Sequence, residues 1–177
     1  CWCSADQWCM CTPSMAIDVV LRSGPEHVWL VRRADAGKLA LMGGMIEVGE
    51  TAEDAVLREL QEEMNLVLPP AAGRPRLFGV YNDPLRDARR HTASIVYVVD
   101  IPMDVTPRAG DDAVAVIRMR LDEALGGEEG FFVDHRTILA DYRKSLQMVA
   151  EAGQRPTGDL IPEAEAELFR RSVCPLL

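Results

Sequence analysis

No stretch of this chain approaches the roughly 18 consecutive apolar residues of a membrane-spanning helix, so no span is expected. Positive charge is in short supply: 19 Lys and Arg stand against 28 Asp and Glu, a formal net charge of −9. That balance excludes a general binder of nucleic-acid polymers. Cysteine is absent from Thr12 to Val173, because the five in the chain are Cys1, Cys3, Cys9, Cys11 and Cys174. The fold then does not depend on disulfides, and the chain reads as an intracellular, cytoplasmic protein. Its start, CWCSADQWCMC, lacks the basic residues and apolar run of a signal peptide. Internal repeats and low-complexity tracts are missing too. What remains is ordinary globular composition, 48% hydrophobic and 27% charged over 177 residues, enough for one domain with a sizeable core.

Strand and helix signals alternate along the chain. MAIDVVLR (15–22) and HVWLVRR (27–33) are rich in β-branched and apolar residues, and the turn Ser23-Gly24-Pro25-Glu26 between them predicts a hairpin. Residues 77–81 and 92–101 read as further strands, with a polar, basic loop from Asn82 to His91 between them, and 112–121 as another strand or a strand entering a turn. Thr51 is a good helix N-cap, with Asp54 placed for a variant capping box. Ala52, Val56, Leu60 and Met64 then recur every four residues as a buried stripe. Asn65 suits the left-handed residue that ends a helix, and Pro69-Pro70 rules out continuation. A Gly-rich loop, EALGGEEG, precedes a helix capped by Asp134, and a last short helix follows Pro162. This order predicts an α/β protein, a mixed sheet with helices on both faces.

Charge is concentrated in one place. Between Gly44 and Leu66 there are seven acids (Glu47, Glu50, Glu53, Asp54, Glu59, Glu62, Glu63) and one base, Arg58. Helical spacing puts Glu59, Glu62 and Glu63 on a common face, away from the apolar stripe. A solvated acidic face is the ordinary reading of such a run. Like charges four residues apart destabilise a bare helix, however, and no Lys compensates them here. A hard divalent cation with oxygen ligands would relieve the repulsion.

Gly44, five residues, Glu50, seven residues, Arg58-Glu59-Leu60, one residue, Glu62-Glu63, one residue, Asn65-Leu66 resembles the Nudix box, GX5EX7REUXEEXGU with U apolar. Every fixed position agrees except the penultimate glycine, here Asn65. The resemblance implies a Nudix hydrolase: an α/β/α sandwich that uses Mg²⁺ or Mn²⁺ to cleave a nucleoside diphosphate linked to another group. By motif position Glu59 and Glu63 would be the principal metal ligands, Glu62 and Glu50 would support them or bind further ions, and the Gly44 carbonyl would join. Arg58 would orient the glutamates, and Glu59, Glu62, Glu63 and Arg58 form the expected catalytic set. GVYNDPLRDARRHT (79–92), AGDDAVAV (109–116) and FFVDHRTIL (131–139) are similar to segments of bacterial and archaeal ADP-ribose pyrophosphatases. The similarity covers roughly residues 15–146. Two departures stand beside Asn65: Met42 occupies the usual proline before Gly-Gly, and Ala115 a usual glutamate.

Three functions follow. The first is hydrolysis of ADP-ribose to AMP and ribose 5-phosphate. The second acts instead on a (deoxy)nucleoside triphosphate or oxidised nucleotide. The third is a non-catalytic Nudix-fold sensor, which the intact glutamates disfavour. Expected substrate contacts are Arg32, Arg86, Arg89 and Arg90, whose planar forks suit phosphate, and Tyr81, placed to stack on a base. Arg33 is the alternative to Arg32, and Asp111 and Asp112 close the site or simply make a turn. His135 is expected to serve a helix start. Partners would be a nucleotide-type small molecule and, as often in this family, a second copy of the chain in a homodimer; no membrane is expected. Residues 1–14 form a separate cysteine-rich leader before a domain spanning 15–177. Cys1, Cys3, Cys9 and Cys11 supply four thiols, enough for Zn²⁺, though not at a standard zinc-finger spacing. A leader without metal, or disulfides in an oxidised preparation, are the alternatives.

Overall fold

The computed structural model describes residues 2–3, 9–10, 12–69, 72–110 and 113–151. The short strands β1 (Trp2–Cys3) and β2 (Cys9–Met10) pair antiparallel, with Cys3 opposite Cys9. Cys1 and Cys11 lie outside the described residues, as do Asp111, Asp112 and the helix expected after Pro162.

Strand β3 (Ser14–Ser23) sorts the core by alternation. Ile17, Val19 and Leu21 bury against Ala55, Val56, Leu60 and Met64 of helix α1 (Ala52–Met64). Val20 turns to the opposite face and packs with Ile138, Leu139 and Tyr142 of helix α3 (His135–Glu151). Strand β8 (Thr92–Ile101) repeats the division: Tyr97, Val99 and Ile101 join the α1 cluster, Val96 and Val98 the α3 cluster. Successive strand side chains point to opposite faces, so two helix layers clasp one sheet. The expected α/β sandwich is present.

The sheet is mixed. β3 and β8 run parallel over their full lengths, from Ser14 opposite Thr92 to Ser23 opposite Ile101. Among the described residues the other strand pairs are antiparallel: β3 with β4 (His27–Arg33), β3 with β6 (Met42–Met45), β4 with β5 (Leu39–Ala40), β4 with β9 (Ala113–Arg120), and β8 with β7 (Arg76–Tyr81); Leu39 adds an isolated parallel bridge to Phe131. The expected hairpin forms, but β3 pairs with β4 only at Leu21–Trp29 and Arg22–Val28. Beyond that, β6 takes the β3 edge from Ala16 to Val19. This brings the glycine pair Gly43-Gly44 onto the middle of the sheet.

Helix α1 begins where its cap predicts. The Thr51 hydroxyl accepts from the Asp54 N–H at 3.1 Å and donates to the Asp54 carboxylate at 2.8 Å, so the box closes through side chains. At the other end Asn65 is left-handed, φ 46° and ψ 37°. The Asn65 and Leu66 N–H groups both reach back to the Leu60 carbonyl, the latter at 3.0 Å, so the helix closes in a wide last turn.

Two expectations differ. The Gly-rich segment opens with a short helix, α2 (Leu121–Gly126), held by burial of Leu121 and Ala124. Asp134 does start α3, but through its carbonyl, which accepts from the Thr137 and Ile138 N–H groups. Its carboxylate is turned to Arg86 instead.

Candidate active site

One guanidinium organises the acidic helix. Arg58 donates to Glu50 at 2.8 and 3.1 Å, to Glu59 at 2.7 Å, to Glu62 at 3.0 Å and to the Met45 carbonyl at 3.0 Å. It thereby ties three carboxylates of the segment to the strand β6 backbone. Glu50 sits just ahead of the N-cap and reaches Arg58 across two turns, which its place in sequence permits. The Arg58 hydrogen bond, with the Glu47 N–H, holds Glu50 below the usual carboxylate range despite partial desolvation.

Glu59 and Glu63 are different. Glu59 is 8% exposed, unusual for a glutamate. Burial raises its pKa against the pull of Arg58, and the charges of Glu62 and Glu50 add to the rise. Glu63 accepts from the Gly43 N–H at 3.1 Å. Burial pushes it up to about 7, opposed by that N–H and by Arg33 and reinforced by Glu59 and Asp18. Gly44 must lack a side chain, because a Cβ there would fall 2.0 Å from a Glu59 carboxylate oxygen. Among the described residues no three His, Cys, Asp or Glu side chains converge as a ready-made metal cage; Arg58 holds Glu50, Glu59 and Glu62 instead. The donor set is nonetheless all hard oxygen: Glu50, Glu59, Glu62 and Glu63, with Gly44 packed against the Glu59 carboxylate. That chemistry suits Mg²⁺ or Mn²⁺, and the raised Glu59 and Glu63 are the groups a cation would relieve most.

Beside this cluster lies a cleft of about 220 Å³, reached past Gly43 and Gly44. Its floor is a buried polar network. Asp18, on the α3 face of β3, accepts from the Ser94 hydroxyl at 2.5 Å and from Arg86 at 3.3 Å, and faces His135 Nε2 at 3.3 Å. The Leu41 N–H donates to His135 Nδ1 at 2.9 Å, so the ring proton belongs on Nε2, toward Asp18. Burial works against a charged Asp18, but His135, Ser94 and Arg86 outweigh it and lower its pKa. The walls are cationic. Arg33 lies over the Phe132 ring at 4.2 Å and Arg89 at 4.9 Å, with Arg90 alongside. Next to Phe132, Val133 has φ 39°, a left-handed conformation costly for a β-branched residue. The Phe132 N–H bonded to Leu39, the Asp134 carboxylate bonded to Arg86 and the His135 ring bonded to Leu41 hold it there.

The expected substrate residues divide. Arg89 and Arg90 line the cleft. Arg86 lines it too, but its side chain is 4% exposed and engaged by Asp18 and Asp134. Arg32 does not line it: its guanidinium is taken by the Gly37 carbonyl at 2.9 Å and Glu129 at 3.0 Å. Its neighbour Arg33 does, held by Asp35 at 2.8 and 2.9 Å. Tyr81 stands in a separate groove with Asn82, Asp83 and His91, its hydroxyl on Asp141 at 3.2 Å. Asp18 and Ser94 were not expected, and His135 only as a helix start. The available signal was a lone acid inside the apolar run MAIDVVLR.

A model of the NUDIX domain family matches residues 12–142. An ADP-ribose pyrophosphatase of Methanocaldococcus jannaschii is 34% identical over 134 residues, covering 75% of this chain and 74% of that protein. An 8-oxo-dGTP diphosphatase of Escherichia coli K12 is 45% identical over 51 residues, 27% of this chain and 40% of that one. Among solved structures, a mutT/nudix family protein from Listeria innocua superposes with a TM-score of 0.62 at 28% identity, covering 80% of this chain and 99% of its own. Among the described residues, no helix is long and apolar enough to cross a membrane.

Proposed function

Because the chain belongs to the NUDIX domain family and is a Nudix pyrophosphohydrolase, we propose that its substrate is ADP-ribose, cleaved to AMP and ribose 5-phosphate. The observation that carries the reading is the juxtaposition of an all-oxygen carboxylate cluster with a cleft walled by Arg33, Arg89 and Arg90. A pyrophosphate is repelled by the first and attracted by the second, so it would lie across their border. The long similarity to the Methanocaldococcus jannaschii protein supports the choice of substrate.

In this reading Glu50, Glu59, Glu62 and Glu63, with the Gly44 carbonyl, hold Mg²⁺ or Mn²⁺. The bound ion supplies charge neutralisation at phosphorus and a water of lowered pKa. Arg58 keeps the glutamates in place when the ion is absent and would yield some of these contacts to it. A carboxylate of the cluster left outside the ion's innermost shell would accept the proton of that water. Arg33 and Arg89, whose Nε and Nη2 groups are held by Asp35 and Asp87, would turn their remaining Nη1 groups to the phosphates, and the Asp18–His135–Arg86 network forms the cleft floor.

The test is incubation with Mg²⁺ and a panel of ADP-ribose, NADH, dinucleoside polyphosphates and deoxynucleoside triphosphates, with products resolved. ADP-ribose should give AMP and ribose 5-phosphate with the highest kcat/KM. Preferential release of pyrophosphate from a triphosphate would sink the substrate assignment, and no cleavage with either metal would sink the catalytic one. Arg33→Ala should lower kcat/KM by about tenfold to a hundredfold, the scale of a lost charged hydrogen bond. Arg32→Ala should leave it within about twofold, because its guanidinium serves Gly37 and Glu129. Steady-state kinetics of the pair decides which arginine meets substrate.

A further inference from the structure

We infer that Asn65 is a positioning residue for the carboxylate cluster, its side-chain amide clamping residues 108–110 against the end of α1 that carries Glu62 and Glu63. The inference rests on the proposed role of those glutamates.

The last carbonyls of a helix have no partners within it and need outside donors. Helix α1 has no basic residue in its last turn to supply them. The segment 108–110 does so instead. The Gly110 N–H donates to the Glu63 carbonyl at 2.8 Å and the Arg108 N–H to the Met64 carbonyl at 2.9 Å. Between these two bonds, Asn65 Nδ2 donates to the Ala109 carbonyl at 3.0 Å. The approach is so close that a Cβ on Gly110 would fall 1.7 Å from the Glu62 carbonyl oxygen. Three successive residues are thus gripped by the turn from which Glu62 and Glu63 project.

Asparagine is the informative choice at position 65. Glycine would adopt the left-handed backbone with less strain, but it has no amide to send across. The clamped segment leads into β9, which pairs with β4 and sets Ala113 opposite Arg33. The clamp therefore holds the chain just ahead of β9 against the turn of α1 that carries Glu62 and Glu63.

Mn²⁺ binding to the full chain, followed by calorimetry and set beside kinetics on ADP-ribose, tests this. Asn65→Gly keeps the favourable backbone, so its unfolding midpoint in EDTA should stay within about 2 °C of wild type. Its Mn²⁺ affinity should fall about threefold to tenfold, the scale of one hydrogen bond. At saturating Mn²⁺, kcat should fall while KM stays unchanged. Asn65→Asp, which offers Ala109 an acceptor in place of a donor, should not restore affinity. Gly110→Ala, which must push the segment off the helix, should shift affinity the same way and further. Wild-type Mn²⁺ affinity in Asn65→Gly overturns the inference and leaves the proposed function standing. A collapsed unfolding midpoint in that variant also overturns it, because the bond would then be structural alone. A wild-type chain that takes up no Mn²⁺ overturns both.

Discussion

Glu63→Gln should reduce kcat by about 10²- to 10³-fold, the loss typical when one group that meets transition-state charge is removed. The change keeps shape and the Gly43 N–H contact while deleting the charge a cation would meet. Turnover within tenfold of wild type would show that Glu63 is neither ligand nor base. The same variant carries a second signature, readable without substrate. In the metal-free protein Glu63 holds its proton to about pH 7, against an ordinary value of 4.5. Between those limits the folded chain binds more protons than the unfolded one, so stability falls as pH rises through this window and the loss is complete above it. Glu63→Gln should remove that part of the slope in thermal unfolding with EDTA. Asp87, held down to about 2 chiefly by Arg89, acts in a separate window below 3.8 and in the opposite direction. An unchanged slope in the variant would place the titration elsewhere.

Arg86→Ala should cost stability first and activity only as a consequence. Its side chain is 4% exposed and lies between Asp18 and Asp134, themselves largely sheltered at 10% and 21%. Removing the guanidinium leaves two carboxylates short of their partner in a poorly hydrated place. Breaking a buried pair in this way costs about 3–5 kcal/mol, or on the order of 10 °C in midpoint for a chain of this size. Arg89→Ala is the contrast, since that side chain is 57% exposed and its pair with Asp87 is screened. Its stability should change little while KM for ADP-ribose rises. A thermally normal Arg86→Ala with a raised KM would return Arg86 to the role of substrate ligand.

The parts of the site that could be read in the sequence are those made by near neighbours. Thr51, Asp54, Glu50, Arg58 and the glutamates interact over at most eight positions, and helical geometry converts their spacing directly into contact. Asn65 was legible for the same reason, as a left-handed helix end, although its amide bond to Ala109, 44 residues away, was not. Arg86 shows the limit most clearly. A basic loop rich in Arg suggests phosphate, but whether a guanidinium turns outward or inward depends on Asp18 and Asp134, 68 and 48 positions distant. Arg32 and Arg33 were indistinguishable by type; strand alternation, a bulge against β9 and the nearby Asp35 separate them. Helix α2 was hidden because its glycines suggested a loop, while burial of Leu121 and Ala124 depends on α3 being near.

The parallel pairing of β3 with β8 also makes the two halves of the site different in kind. The carboxylate cluster is local: Glu50, Arg58, Glu59 and Glu62 are joined within one segment. The cleft floor is not, since the bond between Ser94 and Asp18 spans 76 positions and exists only once a long crossover has closed. A change that loosens β8 from β3 would therefore dismantle the cleft while leaving the glutamates' own contacts with Arg58 in reach, and the two halves are one site only as long as that pairing holds.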